Sequence, residues 1–318
     1  MAANWMRRTV LVAACASAAL LAACGSSTTE SAITPTRFLA FGDASTDVGQ
    51  NGSRYTVNDG SVNNWTLQVA ANYGKTLTAA STGGTSYAVG NARVTAKPDA
   101  AGNTSTATIS DQIGTFLASG GSFGSSDVVF MSGGVSDVIA GAAAVQAGTM
   151  TEAAMVAASR QAGEDMAAQV KRLVNAGAKY VVLTGTYDLS KTPWAKTIGR
   201  ESLLNNASSR FNEGLLVGIV DLGANVLYVD SAYYVNLYTS SPGSYGFDNA
   251  TTAVCTSVDA TNGIGIGAGQ VNSFLCNTST LLPGANQDKY TFADAVYMTP
   301  SAQRQFGTYA YDRLRARW

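Results

Sequence analysis

The chain has 318 residues, 46% of them apolar and 13% charged, with a formal net charge of −1 and no histidine. That balance suits one large globular domain or two small ones, and it excludes nucleic-acid binding and polybasic membrane adhesion, which need a cationic excess. Without imidazole, and with only four cysteines, no metal-ligand spacing is present, so neither a metal nor a cofactor is expected.

In chain order, Arg7 and Arg8 form a basic start, residues 9–21 an apolar run too short to span a bilayer well, and Leu21-Ala22-Ala23-Cys24 closes it. The closing residues resemble the lipobox of bacterial lipoproteins. That resemblance implies a leader over residues 1–23, an acylated Cys24 as membrane anchor and, from Gly25 and Ser26, the outer membrane. A plain secretory leader with an incidental cysteine is the alternative. Removing residues 1–23 takes two arginines and no acid, moving the charge from −1 to −3. Residues 24–35 are Gly/Ser/Thr-rich and read as a flexible tether. Cys15 falls in the leader, which leaves Cys255 and Cys276, 21 apart in an exported chain. An oxidising compartment favours a disulfide, and two buried free thiols are the alternative.

No repeat or linker interrupts residues 36–318, which read as one domain. A first strand is predicted over 36–42, a helix over 64–74 ending on Gly74, and a buried strand over 126–135 breaking at a glycine pair. The pattern predicts a long helix over 151–176, capped by Thr151 and ended by Gly177, then a strand at once. A helix over 203–222 and a strand over 224–231 follow. Strand–helix alternation with short connections predicts a doubly wound, mostly parallel α/β sheet in three layers. Ligands in such sheets bind at the carboxyl ends of the strands, where residues 41–50, 132–138 and 294–300 would lie.

Four blocks then stand out in order: FGDASTDVG (41–49), GGTSYAVGNARV (83–94), FMSGGVSDVI (130–139) and FADAVYMTPSAQRQ (292–305). Together they resemble the SGNH/GDSL hydrolases, in the branch of secreted bacterial esterases. YDLSKTP (187–193), RFNEGLL (210–216) and SPGSYGFDNATTAVC (241–255) leading to FLC (274–276) add to it, so the resemblance runs from about residue 37 to the end of the chain. It implies an esterase fold and hydrolysis of acyl esters by a serine. It places the nucleophile at Ala44, an oxyanion glycine at Gly90, an oxyanion asparagine at Ser136, and an Asp-x-x-His pair at Asp294 and Tyr297. Gly90 and Asp294 keep the expected identity, while Ala44, Ser136 and Tyr297 replace the nucleophile, donor and base.

Acyl transfer needs a nucleophile, a base that titrates near the working pH, and donors where negative charge develops. A methyl group cannot attack, and a tyrosine of pKa about 10 is a poor base at neutral pH. The sequence therefore predicts an esterase-like lipoprotein without catalysis. Its old cleft (Asp43, Ala44, Ser45, Gly90, Ser136, Asp294, Tyr297) would bind an acyl-ester, lipid or glycan ligand through surviving backbone donors at 44 and 90. An envelope protein partner is a second reading, favoured if Tyr297 closes the cleft. A rewired esterase using Ser45 or Ser136 with Lys191, Lys196 or a carboxylate is a third. Ser45 and Thr46 are expected to cap a following helix with Asp47 near its start, Asp43 to stabilise the turn, and Asp294 to hold loop backbone. Tyr297 is expected to fill the imidazole's space with its hydroxyl at the cleft mouth. Trp65 and Trp194 are candidates for a ligand groove or for the core.

Overall fold

A computed structural model describes residues 31–318. The expected leader, Cys24 and most of the tether lie outside the described residues. Residues 31–35 do not behave as a tether. Ser31 Oγ donates to the Trp318 main-chain oxygen at 2.5 Å, and Ile33 packs against the core.

Four parallel strands form the central sheet in the order of the chain: β1 (Arg37–Phe41), β2 (Asp127–Ser132), β3 (Tyr180–Thr184) and β4 (Val226–Tyr228). Their registers pair Ala40 with Phe130, Phe130 with Val182 and Val182 with Leu227. β2 is buried along its whole length, as expected of an apolar run covered on both faces. Alternate side chains separate the two faces. Phe38, Ala40, Val128 and Phe130 meet helices α1 (Trp65–Asn72) and α8 (Pro300–Arg317). Leu39, Phe41, Val129 and Met131 meet α2 (Ile109–Ala118), α4 (Glu152–Asn175) and α6 (Glu201–Gly218). The remaining helices are α3 (Val135–Gln146), α5 (Pro193–Ile198) and α7 (Ser231–Ser240).

The helices predicted from periodicity are present. Thr151 caps α4 by accepting from Ala154 N, and Gly177 follows at φ 103°. The expectation of short connections fails between β1 and β2. Residues 42–126 join them, carrying α1 and α2, because the chain first runs along the outer edge of β1. There Ala40 N donates to the Thr85 carbonyl at 3.1 Å and Tyr87 N to the Ala40 carbonyl at 2.7 Å. This short parallel run protects the edge of β1. It also makes the sheet doubly wound, with the crevice above β1.

Beyond the sheet, residues 242–292 carry two small pairs, β5 (Asn249–Ala253) with β8 (Tyr290–Phe292) and β6 (Val258–Asp259) with β7 (Gln270–Val271). Cys255 and Cys276 are bonded to one another, with Cα atoms 5.9 Å apart. Asn58 ties the bridge to the domain: its N–H donates to the Cys276 carbonyl at 2.9 Å, and its amide nitrogen reaches the same oxygen at 3.1 Å. A bridge closing a loop of this length stabilises by about 3 kcal/mol. Chemical denaturation of the Cys255→Ser/Cys276→Ser protein is expected to show that loss, and an unchanged midpoint would contradict it.

Candidate active site

The chain leaves β1 through Gly42, which Gln112 grips from both sides. Gly42 N donates to Gln112 Oε1 at 2.8 Å and its carbonyl accepts from Gln112 Nε2 at 2.9 Å. A Cβ on Gly42 would stand 2.7 Å from the Ser132 carbonyl oxygen, so glycine is what lets the ends of β1 and β2 close together. Asp43 follows, fully buried. Its Oδ1 accepts from Ser45 N at 3.0 Å and Ser132 Oγ at 2.9 Å, while Oδ2 has no partner. Burial raises its carboxyl above the ordinary pKa of 3.8 against the pull of the Ser132 bond. The expected turn-stabilising role is what these contacts describe.

No helix follows the turn, which corrects the expectation that Ser45 and Thr46 cap one. The next α-helix is α1, capped by Asn64. Thr46 instead donates its hydroxyl to Ser132 Oγ at 2.5 Å. Asp47 holds the turn, its Oδ1 accepting from Gly49 N and Gln50 N, both at 2.8 Å. Its Oδ2 accepts from Gly90 N at 2.9 Å. Gly90 therefore cannot offer the free donor expected of it, since its N–H is spent on a buried carboxylate.

A Cβ at Gly90 would stand 1.9 Å from the ring of Tyr55, so that ring lies directly against the Gly90 backbone. Tyr55 meets Tyr297 edge-on at 5.2 Å and Phe274 at 5.4 Å between ring centroids. The segment carrying Tyr55, SRYTVND (53–59), has no motif, and sequence reading missed it. The one available signal was the glycine at 90, which admits a ring where a side chain would exclude it.

Around this plug the site residues are closed off. Ala44 is 4% exposed, Ser136 0% and Tyr297 2%. The Tyr297 hydroxyl is buried without a partner rather than standing at a cleft mouth, because the ring turns into the Tyr55 cluster. Burial, with Tyr187 and Asp43 nearby, raises the Tyr297 hydroxyl well above its ordinary pKa of 10. It cannot take a proton from anything at neutral pH. Ser136 Oγ is likewise buried and unpaired. Asp294 is fully engaged with backbone: Oδ1 accepts from Val296 N and Tyr297 N, both at 2.7 Å, and Oδ2 from Ser273 N at 3.0 Å. Burial raises its pKa too, partly offset by those bonds.

Next to Ser136, Asp137 accepts from Arg93 Nε at 3.2 Å and Val94 N at 3.1 Å. Burial outweighs the arginine and lifts its carboxyl from 3.8 to about 6. Between those values the folded chain holds a proton that the unfolded chain has released, so this group favours folding more at low pH. Lowering the pH from 7.5 to 5 is expected to raise the urea midpoint, and Asp137→Asn to flatten that rise. A midpoint that falls equally in both proteins would contradict the assignment.

Of the remaining candidates, Trp65 is core, packed edge-on against Phe130 and Phe306. Trp194 lines a surface cavity of about 250 Å³ with Val145, Ile198, Arg200 and Leu203. Lys191 and Lys196 line another concavity with Asp188, Ser190 and Asn205, and neither Ser45 nor Ser136 lines it with them. No cluster of His, Cys, Asp and Glu suited to a metal occurs among the described residues.

A parallel α/β sheet with its turn, glycine block and Asp-x-x-Tyr loop gathered above β1 defines a protein of hydrolase architecture. Residues 38–309 match the GDSL-like Lipase/Acylhydrolase family, and the chain belongs to that family. It is similar to a GDSL esterase/lipase of Arabidopsis thaliana, 28% identical over 165 residues covering 46% of this chain and 41% of that protein. It is also similar to an uncharacterized protein in the trpE-trpG intergenic region of Pseudomonas putida, 26% identical over 157 residues, 49% of this chain and 25% of that one. The chain thus spans less than half the length of these curated relatives.

Proposed function

We propose that this chain is a non-hydrolytic member of the GDSL family, exported and held at the outer membrane through an acylated Cys24. Its mature part would be a tether from Cys24 and the single domain over residues 36–318, against which residues 31–35 pack. In this reading Ala44, Ser136 and Tyr297 replace the nucleophile, oxyanion donor and base. The closed site serves as structure, and the protein acts by contact with an envelope partner. The observation that carries it is the packing of Tyr55 against Gly90, whose donor is already bonded, and edge-on against Tyr297, in one buried cluster with Ala44. An acyl-ester, lipid or glycan ligand in the old cleft is the weaker alternative, because aromatic rings fill the space it would need. Loss of the nucleophile or its histidine costs on the order of 10⁶ in kcat in a serine protease, and the remainder there comes from the oxyanion hole and binding. Here Gly90 N is bonded to Asp47 and Ser136 is buried, so that remainder is expected to be lost as well.

The rewired esterase draws on one observation: Ser45 is the partly exposed site residue, and its amide contacts buried Asp43. A fluorophosphonate probe separates the readings. The intact mass of the treated protein is expected to remain unchanged. A single adduct mapped to Ser45 or Ser136 would establish the esterase reading instead.

A further inference from the structure

The net charge of the chain conceals a segregation of charge and apolar surface at one end of the molecule. That end is where the strands of the sheet begin. It gathers the start of the described chain at Ser31, the last turn of α8, the turn after α6, and the residues entering β3. Ser31 is bonded to the Trp318 main chain, Trp318 stacks edge-on with Tyr180 at 5.1 Å, and the Arg317 side chain donates to the Gly223 carbonyl. These contacts make one continuous face from four separate segments.

Three of the seven exposed large apolar side chains among the described residues sit here: Val220 at 82% exposure, Val217 at 61% and Leu216 at 42%. Val220, in the turn after α6, follows Val217 by three residues and Leu216 by four. At the same end Arg317 reaches the Gly223 turn, Asn225 Nδ2 donates to the Lys179 carbonyl at 3.2 Å, and Tyr73, two residues before Lys75, packs on Tyr311 at 4.9 Å. Lys75, Lys179, Arg313 and Arg317 are exposed, as is one acid, Asp312. The one acid in the turn, Asp221, is neutralised by Lys171 at 3.6 Å. The described chain begins on this same face, at Ser31.

We propose that this end of the domain rests on an anionic lipid surface, with Val217 and Val220 in the headgroup layer and Lys75, Lys179, Arg313 and Arg317 against lipid phosphates. Apolar contact and charge each give weak, reversible membrane binding, and the two together with an anchor hold an orientation. The closed site above β1 then faces away from the bilayer. This orientation is independent of whether the site hydrolyses anything.

The test uses the full chain reconstituted on vesicles of phosphatidylglycerol and phosphatidylcholine, and on vesicles of phosphatidylcholine alone, followed by hydrogen exchange. Amides of residues 219–225 and 313–318 are expected to exchange about tenfold more slowly on the anionic vesicles, and each lost cation to weaken docking about fivefold. Val217→Ser/Val220→Ser/Lys179→Gln/Arg313→Gln is expected to remove the protection while leaving exchange in β2 unchanged, since all four positions are on the surface. Equal exchange on both vesicle types would overturn the proposal. So would protection that survives in the fourfold variant, or protection without vesicles that grows with protein concentration, which would assign the face to a second copy.

Discussion

Ala44→Ser, Ser136→Asn and Tyr297→His introduced together are expected to raise hydrolysis of p-nitrophenyl butyrate at least about 10³-fold over the unmodified protein, while Ala44→Ser alone yields nothing measurable. The size follows from the unit character of such sites, in which nucleophile and base are each worth on the order of 10⁶ and neither works without the other. The recovery falls short of that figure for two reasons visible in the site. Gly90 N is bonded to Asp47 at 2.9 Å, and Tyr55 occupies the space beside it. Adding Tyr55→Ala to the threefold variant is therefore expected to increase the rate again. A threefold variant as silent as the parent, yet folded, would mean that the scaffold has drifted beyond what three side chains can repair.

Asp294→Ala is expected to destabilise the protein by at least about 3 kcal/mol, because three buried N–H groups lose their acceptor at about 1–3 kcal/mol each. The donors are Ser273, Val296 and Tyr297, so the change loosens both the loop that carries Tyr297 and the segment beside Cys276. In a domain of this size that corresponds to a fall in Tm of at least about 5 °C. Asp294→Asn keeps one acceptor oxygen and is expected to lose about half as much. A residue retained only to orient a base would show no such thermal penalty, so an unchanged Tm would argue against a structural role.

The scaffold was legible because its signals are local. FLAFG and DVVFMS are apolar runs bounded by glycine, and Thr151 and Gly177 bracket a long periodic helix. The long excursion between β1 and β2 was not legible, because the contact that explains it, Thr85 and Tyr87 on the edge of Ala40, joins residues far apart in a glycine-rich stretch without strand periodicity. The site divided the same way. Ala44, Ser136 and Tyr297 stand in the blocks where the family resemblance places the site, and the absence of histidine is plain from composition alone. What the rings do could not. Tyr55 carries no motif, and whether Tyr297 lines a cleft or plugs it depends on which way one side chain packs. The misread cap at Ser45 and Thr46 has a similar cause. A polar turn after a strand looks the same in sequence whether a helix follows it or a buried aspartate, here Asp47, gathers the turn around itself.

The central claim is most directly tested by steady-state turnover of p-nitrophenyl acetate, butyrate and octanoate by the unmodified protein at pH 7–8. The expected result is a rate indistinguishable from buffer for all three esters, unchanged by Ser45→Ala or Asp43→Asn. Turnover well above buffer that either substitution abolishes would contradict it, and would show that the closed site opens and reacts through side chains of its own.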